Sequence, residues 1–363
     1  MSYIGNISSG LGFSFISPYG DQLRQELGMK DDLHSLLVGS VSVGGLVGCI
    51  IGGKLADMIG RKRAMTASFI LITLGWGFVA FSLNAGMIFS GRIIHGLGEG
   101  MVVTVYIIYL GEVINEKYRG GAIAAGCVSV QFGIALAYIL SLFITWRQSA
   151  ILISLLNCGS LLCTMIIPES PLWLAQKVKT ETELANAMKI SYPSASTDLN
   201  RVQKKQRIKD TFSIFSTKTS TSTIISTIVP PTLLFLLPIS GVFTISFFAI
   251  SIVENMNIGQ PIAVAIGVGL MRTVGTALGV GFVQRYGRRR SLIISAGATS
   301  TCFVLVSILL LVNSLPVSVF NWSMITLLVL AMSANSLGMT PVPWILCGEW
   351  PDMRYKVGFY NGL

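Results

Sequence analysis

The feature that most limits the possible folds is a series of apolar runs, each about as long as a helix that crosses a lipid bilayer. Ten such runs follow one another, separated by short polar connections and one long one. They lie near residues 3–19, 35–57, 65–86, 88–113, 121–144, 147–167, 226–253, 259–284, 291–313 and 319–345. The sequence therefore predicts an all-α, polytopic membrane protein with about ten spanning helices.

The composition agrees with a membrane protein and argues against other classes. Of 363 residues, 52% are hydrophobic and only 12% are charged, whereas a soluble domain has about 25% charged residues. The net charge of +10 comes from clusters between apolar runs, which act as topology signals and not as a nucleic-acid surface. The six cysteines lack the spacing of a metal site or a disulfide framework. We expect no metal, no cofactor and no nucleic-acid partner.

The basic residues fall in alternate connections between the runs. The opposite side carries only Arg24, Lys30 and Arg147. By the positive-inside rule, the basic side is predicted to be cytoplasmic, and so are both termini. We also expect no cleavable signal peptide, because the first run has no basic region before it. The bases of the predicted cytoplasmic side are Arg61, Lys62, Arg63, Lys117, Arg119, nine residues within 168–225, and Arg285, Arg288, Arg289 and Arg290.

A near-repeat relates the two parts of the chain. The stretch GGKLADMIGRKR at 52–63 closes the second run, and GVGFVQRYGRRR at 279–290 closes the eighth. A shorter echo, YLGEV at 109–113 and LCGEW at 346–350, ends the fourth and tenth runs. Both pairs are six runs apart, which predicts two parallel six-helix halves.

The one long connection marks the predicted domain boundary. It carries nine basic and five acidic residues and has a Ser/Thr-rich end, which is typical of a solvated linker. The predicted division is an N-terminal half at 1–167, a cytoplasmic segment at 168–225 and a C-terminal half at 226–363 that stops after its fourth helix.

Five short motifs identify a family resemblance. In chain order they are GGKLADMIGRKR, GRIIHGLGEG, YLGEV, PESPLWL and PVPWILCGEWP. They resemble motifs of the sugar porters of the major facilitator superfamily, and among these the insect facilitated trehalose transporters. Two positions depart from the family pattern in the repeat: Met58 replaces an arginine in the first copy, and Gln284 replaces an acid in the second.

Acids and bases near the helix ends predict a latch on the cytoplasmic side. Arginine can bond the exposed carbonyl groups of a helix end or a neighbouring carboxylate. The resemblance implies that such pairs hold the halves together while the cavity faces outward; the alternative is that the charges only fix topology. The predicted latch residues are Asp57, Arg61, Lys62, Arg92, Glu112, Arg119, Glu169, Arg285, Arg288, Arg289 and Glu349.

The resemblance also implies which side chains contact the substrate. Gln131 matches the family's glutamine in helix 5, and Trp344 matches the tryptophan of its PxPW element. In helix 7, Ser240 is kept within LPISGVF, while three amide side chains of the family pattern are absent. Gln131 could instead bond a neighbouring helix, and Trp344 could anchor at the membrane boundary. The changed helix 7 predicts a different substrate or a weakened site compared with an ordinary hexose carrier.

Three ionisable residues share one face of the fourth run. Arg92, His95 and Glu99 are spaced by three and four residues. They predict either a proton relay through His95 and Glu99 or a self-neutralised cluster with Arg92. The first run lacks the acid that family symporters keep there, which favours facilitated diffusion. Arg272, in the eighth run, is a further intramembrane charge to which we assign no role.

These features together predict an alternating-access carrier that moves a sugar, trehalose or a hexose, across the plasma membrane by facilitated diffusion. An enzyme is not expected, because no nucleophile, base and orienting acid recur. Two alternatives remain: a proton-coupled carrier of another polar solute, and a non-transporting truncated paralogue, since the family's helices 11 and 12 would follow Leu363. The expected partners are a sugar and the lipid bilayer, and the oligomeric state is left open.

Overall fold

The structure, a computed structural model, describes residues 2–28, 31–177, 221–241, 244–245, 248–254, 256, 260–311 and 316–349. These ranges contain fourteen helices and no strand, in agreement with the predicted all-α class. In chain order they are α1 (Ser2–Ser14), α2 (Ile16–Leu27), α3 (Asp31–Ile59), α4 (Arg61–Ala80), α5 (Ala85–Val113), α6 (Glu116–Leu140), α7 (Trp146–Ile166), α8 (Pro171–Lys177), α9 (Thr221–Ile239), α10 (Ala249–Glu254), α11 (Pro261–Tyr286), α12 (Arg288–Leu311), α13 (Val317–Leu337) and α14 (Pro341–Glu349).

Eight helical stretches in the described ranges are long and apolar enough to cross a membrane, counting α13 and α14 as one. They match eight of the ten predicted runs. Among the described residues, the first run lies in α1 and α2, and the seventh lies mainly in α9 and α10. The first is interrupted at Phe15, and the seventh contains Pro230, Pro231 and Pro238 and turns at Gly241, where φ is 79°. A glycine permits the turn that follows α9, so the apolar run continues beyond the end of that helix.

Glycine allows α3 and α5 to pack with their backbones in contact. A Cβ atom at Gly48 would lie 2.1 Å from the carbonyl oxygen of Leu97, and one at Gly100 would lie 2.1 Å from that of Gly45. Small residues at such positions are typical of helix pairs inside membranes, where close van der Waals packing drives association. This contact fixes α5, which carries the predicted polar residues Arg92, His95, Glu99 and Glu112.

The N-terminal helices enclose a large aromatic core. Helix α1 packs against α6 and α7, and α4 packs against α5 and α7. Phe15, Trp76 and Trp146 are all buried there. Phe15 and Trp76 meet edge to face at 5.0 Å between ring centroids, an arrangement that aromatic pairs prefer.

The C-terminal helices contact the N-terminal helices mainly through α6, which packs along α11 and against α14. One apolar cluster between the two sets joins Leu110 and Ile123 to Val283 and Ile345. We call the end of the bundle that holds this cluster, where α5 and α14 end and α4 and α12 begin, the basic end. The predicted segment 168–225 is described only at 168–177 and 221–225, and the chain after Glu349 lies outside the described residues.

Candidate functional site

The first copy of the repeated motif forms a buried turn at the basic end. We call residues 57–63 the first basic turn. Arg61 donates from Nε and Nη2 to the two carboxylate oxygens of Glu112, both at 2.9 Å, and from Nη1 to the carbonyl oxygen of Ala56, also at 2.9 Å. Its Nη1 atom also lies 3.1 Å from Asp57. The side chains of Arg61 and Glu112 are only 2% and 1% exposed, so this two-bond ion pair is shielded from water.

Glu169, which follows α7, caps the start of α4 from the other side of the turn. Its carboxylate accepts the backbone N–H groups of Arg61 and Lys62 at 2.8 and 3.1 Å. The first N–H groups of a helix have no partner within the helix, and a carboxylate there also interacts favourably with the helix dipole. Gly60 has φ of 100°, and a Cβ atom on it would lie 2.3 Å from Glu169 Oε2. Only glycine permits both this backbone conformation and this approach.

Four further hydrogen bonds tie residues 165–173 to the first basic turn and to the end of α5. The Tyr109 hydroxyl donates to the carbonyl of Pro168 at 2.9 Å, and the Trp173 indole donates to that of Asp57 at 3.0 Å. Ser170 is fully buried and its hydroxyl bonds Glu112. The side chain of Lys62 binds the carbonyl of Met165 at 2.7 Å and pairs with no carboxylate of the described residues. Sequence reasoning missed Tyr109, Ser170 and Trp173, because neutral side chains carry no charge signal.

The second copy repeats the backbone of the first but not its burial. We call residues 284–290 the second basic turn. Gly287 has φ of 80°, and Arg288 contacts both carboxylate oxygens of Glu349 through Nη2 alone, whereas Arg61 uses Nε and Nη2 on Glu112. The two side chains are 49% and 20% exposed. Arg285 and Arg289, both predicted latch residues, are exposed and form no ion pair among the described residues, so the structure does not place them with an acid.

The contact between α6 and α14 brings the N-terminal and C-terminal helices together at the basic end. A Cβ atom at Gly120 would lie 2.6 Å from Glu349 Oε1, and one at Gly348 would lie 2.0 Å from Ile123 Cδ1. Glu349 therefore meets Arg288 on one side and the backbone of α6 on the other. Arg119, which precedes Gly120, donates to the carbonyl of Ile114 at 3.4 Å.

Arg92 does not lie with the latch, contrary to its predicted place there. It is about twenty residues before Glu112 in α5, which corresponds to about 30 Å along a helix. Its guanidinium is 2% exposed, donates to the carbonyl of Gly12 at 2.9 Å and lies 5.6 Å from the Trp76 ring. The prediction was wrong because the motif gave a residue type and not its depth in the helix.

Arg92 and Glu99 line a cavity of about 160 Å³ between α1, α3 and α5. Glu99 is 5% exposed, and its Oε1 atom has no hydrogen-bond partner among the described residues. Its other oxygen lies 3.9 Å from His95 Nε2. The centroids of the His95 and Trp76 rings are 5.0 Å apart, and the rings are tilted relative to each other. Phe13, Val38 and Val41 supply apolar walls. The predicted relay residues are therefore neighbours, and one carboxylate oxygen remains available to a ligand or a proton.

The three predicted substrate residues lie in different surroundings. Gln131 is 5% exposed in α6, and its side-chain oxygen has no partner among the described residues. Trp344 is half-buried in α14 against the cluster between the two sets of helices. Ser240 donates to the carbonyl of Leu237 at 2.6 Å, so its hydroxyl is used within its own turn. Among the described residues, the Gln131 oxygen is therefore buried without a partner, whereas the Ser240 hydroxyl is bonded within its own turn.

Arg272 is buried in α11 and 3% exposed. The described residues contain no group of three His, Cys, Asp or Glu side chains placed to hold a metal ion. The six cysteines are free thiols.

Comparison with known proteins decides the family. The model of a family described as "Sugar (and other) transporter" matches residues 7–359. The chain belongs to this transporter family. The predicted membership among sugar porters is confirmed, and the transporter is a multi-pass membrane protein.

Plant and insect sugar transporters are among the proteins similar to this chain. The chain is 29% identical to sugar transporter ERD6-like 6 of Arabidopsis thaliana, over 97% of the chain and 74% of that protein. It is 24% identical to the facilitated trehalose transporter Tret1 of Bombyx mori, over 95% of the chain and 70% of that protein. The xylose transporter XylE from E. coli, in a partially occluded inward-open conformation, superposes with a TM-score of 0.75 at 16% identity, over 99% of this chain and 85% of that one. The predicted major facilitator fold is thereby confirmed.

Proposed function

We propose that this transporter carries a sugar, trehalose or a hexose, across a membrane by alternating access and facilitated diffusion. Family membership and the names of its relatives support sugar transport. The observation that carries the mechanism is the contact between α6 and α14, because the two sets of helices meet there through Glu349, Gly120 and a small apolar cluster. Such a contact can open and close without unfolding either set.

The proposed states differ at the basic end. When Glu349 lies against α6, the basic end is closed and the cavity opens on the opposite side. When α14 moves away from α6, the cavity opens at the basic end. The first basic turn stays intact in both states, since its bonds join helices of the N-terminal set only. Gln131 and Trp344 are the proposed substrate contacts, because both lie on helices that form this boundary.

We further propose that the basic end is cytoplasmic and that the membrane is the plasma membrane. The concentration of arginine and lysine at this end supports the orientation. The proposed domain division remains 1–167, 168–225 and 226–363, supported by the equivalence of the two basic turns on either side of the long connection.

Uptake into proteoliposomes tests this proposal. The purified chain is expected to give saturable uptake of labelled trehalose or glucose that stops when the inside and outside concentrations are equal. Empty liposomes supply the control. A flux that neither saturates nor exceeds that of empty liposomes for either sugar would rule out sugar transport.

The cavity at Glu99 favours one second candidate, proton-coupled transport of a polar solute. The buried carboxylate of Glu99, which has one oxygen without a partner among the described residues, can take up a proton. Protonation would remove the negative charge that shares the cavity with Arg92. The titratable groups around Glu99 are His95 and Arg92 from α5 and Cys49 from α3; α1 supplies Ser9, and α4 supplies Trp76 next to His95.

A pH gradient separates the two candidates. Proton coupling requires the wild-type chain to accumulate solute above equilibrium when the outside is acidic, and requires an uncoupler to abolish this. Glu99→Gln would then keep solute exchange but lose accumulation, whereas Cys49→Ala, in the same cavity, would keep both. A wild-type chain that only equilibrates its substrate leaves facilitated diffusion as the mechanism.

A further inference from the structure

The two basic turns differ in net charge. The first turn has three bases, and three carboxylates bind or flank it, so its net charge is 3 − 3 = 0. The second turn has four bases and one bonded carboxylate among the described residues, so its net charge is 4 − 1 = +3. The groups counted are Arg61, Lys62 and Arg63 with Asp57, Glu112 and Glu169, and Arg285, Arg288, Arg289 and Arg290 with Glu349.

The unbalanced charge belongs to three exposed arginines. Arg285, Arg289 and Arg290 form no ion pair with any carboxylate in the described part of the chain. The Arg285 guanidinium instead lies 5.7 Å from the ring of Tyr286, which is 45% exposed. A positive charge next to an exposed tyrosine is the pattern of a side-chain group at the boundary between lipid and water.

The arginines are continuous with an exposed apolar surface. Ile293 and Ile294, one turn into α12, are 58% and 50% exposed. This helix is one of the eight that are long and apolar enough to span a membrane, and few of its side chains are buried within the protein. A lipid whose tails lie along α12 would therefore have its headgroup at the second basic turn.

The chemistry of the three side chains indicates what they bind. A guanidinium group presents a planar fork of donors that fits the oxygens of a phosphate with two parallel hydrogen bonds. The cytoplasmic leaflet carries anionic lipids, and basic side chains near its surface bind them. We propose that Arg285, Arg289 and Arg290 form a binding site for the phosphate of an anionic phospholipid headgroup. This inference rests on the orientation proposed above, but its test needs no sugar transport.

Fluorescence energy transfer from the tryptophans to a dansyl-labelled phosphatidylglycerol measures the binding. The full chain is held in micelles of a neutral detergent, and the labelled lipid is displaced with unlabelled phosphatidylglycerol, phosphatidylcholine or inorganic phosphate. Phosphatidylglycerol is expected to displace it at a concentration at least tenfold lower than phosphatidylcholine. Equal displacement by the two lipids would overturn the proposal. Displacement by phosphate at an equally low concentration would also overturn it, since the site would then bind a soluble anion.

Paired variants locate the site. Arg289→Gln with Arg290→Gln is expected to weaken phosphatidylglycerol binding by about 25-fold, because each basic residue near an anionic surface contributes about fivefold. The control pair is Lys54→Gln with Arg63→Gln, which removes the same charge from exposed residues before and within the first basic turn. This pair is expected to change binding less than twofold. Equal losses of binding in the two pairs would mean that the lipid responds only to general surface charge, and would overturn the proposal.

Arg289→Lys with Arg290→Lys, which keeps the charge, is expected to retain most of the binding. A loss equal to that of the Gln pair, in a chain that still elutes as a single folded species, would count against the proposal.

Discussion

The two basic turns share one backbone design and differ in their surroundings. In each, a glycine with positive φ joins two helices, and the arginine after it binds the glutamate at the end of the next apolar span. Arg61 and Glu112 are buried inside the N-terminal set of helices, whereas Arg288 and Glu349 are partly exposed where α14 meets α6. The same element is therefore buried within one set of helices in one place and lies where the two sets meet in the other.

Removing the arginine is expected to show the largest difference between the turns. Arg61→Ala leaves Glu112 buried without its partner, which typically costs about 3–5 kcal/mol. Arg288→Ala breaks a pair that water screens and is expected to cost less than about 1 kcal/mol. Thermal unfolding of the two purified variants in detergent measures this. Similar losses of stability in both would show that burial does not distinguish the turns.

Replacing the glycine of each turn by alanine compares how tightly the two turns are packed. Gly60→Ala and Gly287→Ala both force a residue into a conformation that side chains rarely adopt, at about 1–3 kcal/mol. Gly60→Ala also places Cβ 2.3 Å from Glu169 Oε2, whereas nothing lies within 4 Å of the Cβ at Gly287. We expect the drop in unfolding temperature to be larger for Gly60→Ala. Equal drops would mean that Glu169 moves away without cost and is not a fixed cap.

Exchanging an acid and an amide at the equivalent positions Asp57 and Gln284 is expected to give the smallest effect. Asp57 lies 3.1 Å from Arg61 but is 29% exposed, and Gln284 occupies the equivalent place beside Arg288. Asp57→Asn removes a native partner of Arg61, whereas Gln284→Asp adds a helical pair worth about 0.3–0.5 kcal/mol. We expect Asp57→Asn to shift the balance between the open and closed states more, as measured by thiol labelling of a cysteine introduced at the basic end. Equal shifts would count against this ranking.

The sequence predicted most of the fold because membrane spans have a strong local signal. Apolar length identified eight continuous spans, and the repeat identified the equivalence of the two turns. It could not predict that the described part of the first run divides into α1 and α2, because residues such as Phe15 interrupt a helix without interrupting the apolar pattern. Helix breaks depend on tertiary packing around the backbone, which no single run contains.

The candidate site was only partly predictable. Arg61, Glu112, Arg288 and Glu349 are charged residues in motifs, and the structure brings them together as pairs. The role of Glu169 as a cap for α4 depends on a contact across more than a hundred residues, which a linear pattern does not reveal. A motif also does not show how far along a helix a residue lies from the basic end, so Arg92 was assigned to the wrong end of α5.

The most direct test of the account is a distance measurement across the basic end. Spin labels at Arg63→Cys and Gln284→Cys, in a background without the six native cysteines, report the separation of the two sets of helices by double electron–electron resonance. Gly120→Ala places a Cβ atom 2.6 Å from Glu349 Oε1, whereas Gly121→Ala, its neighbour in α6, meets nothing within 4 Å. We expect Gly120→Ala to shift the distribution of distances between the two labels towards longer values, and Gly121→Ala to leave it unchanged. Identical distributions in the two variants would contradict the claim that the contact between α6 and α14 closes this end of the transporter.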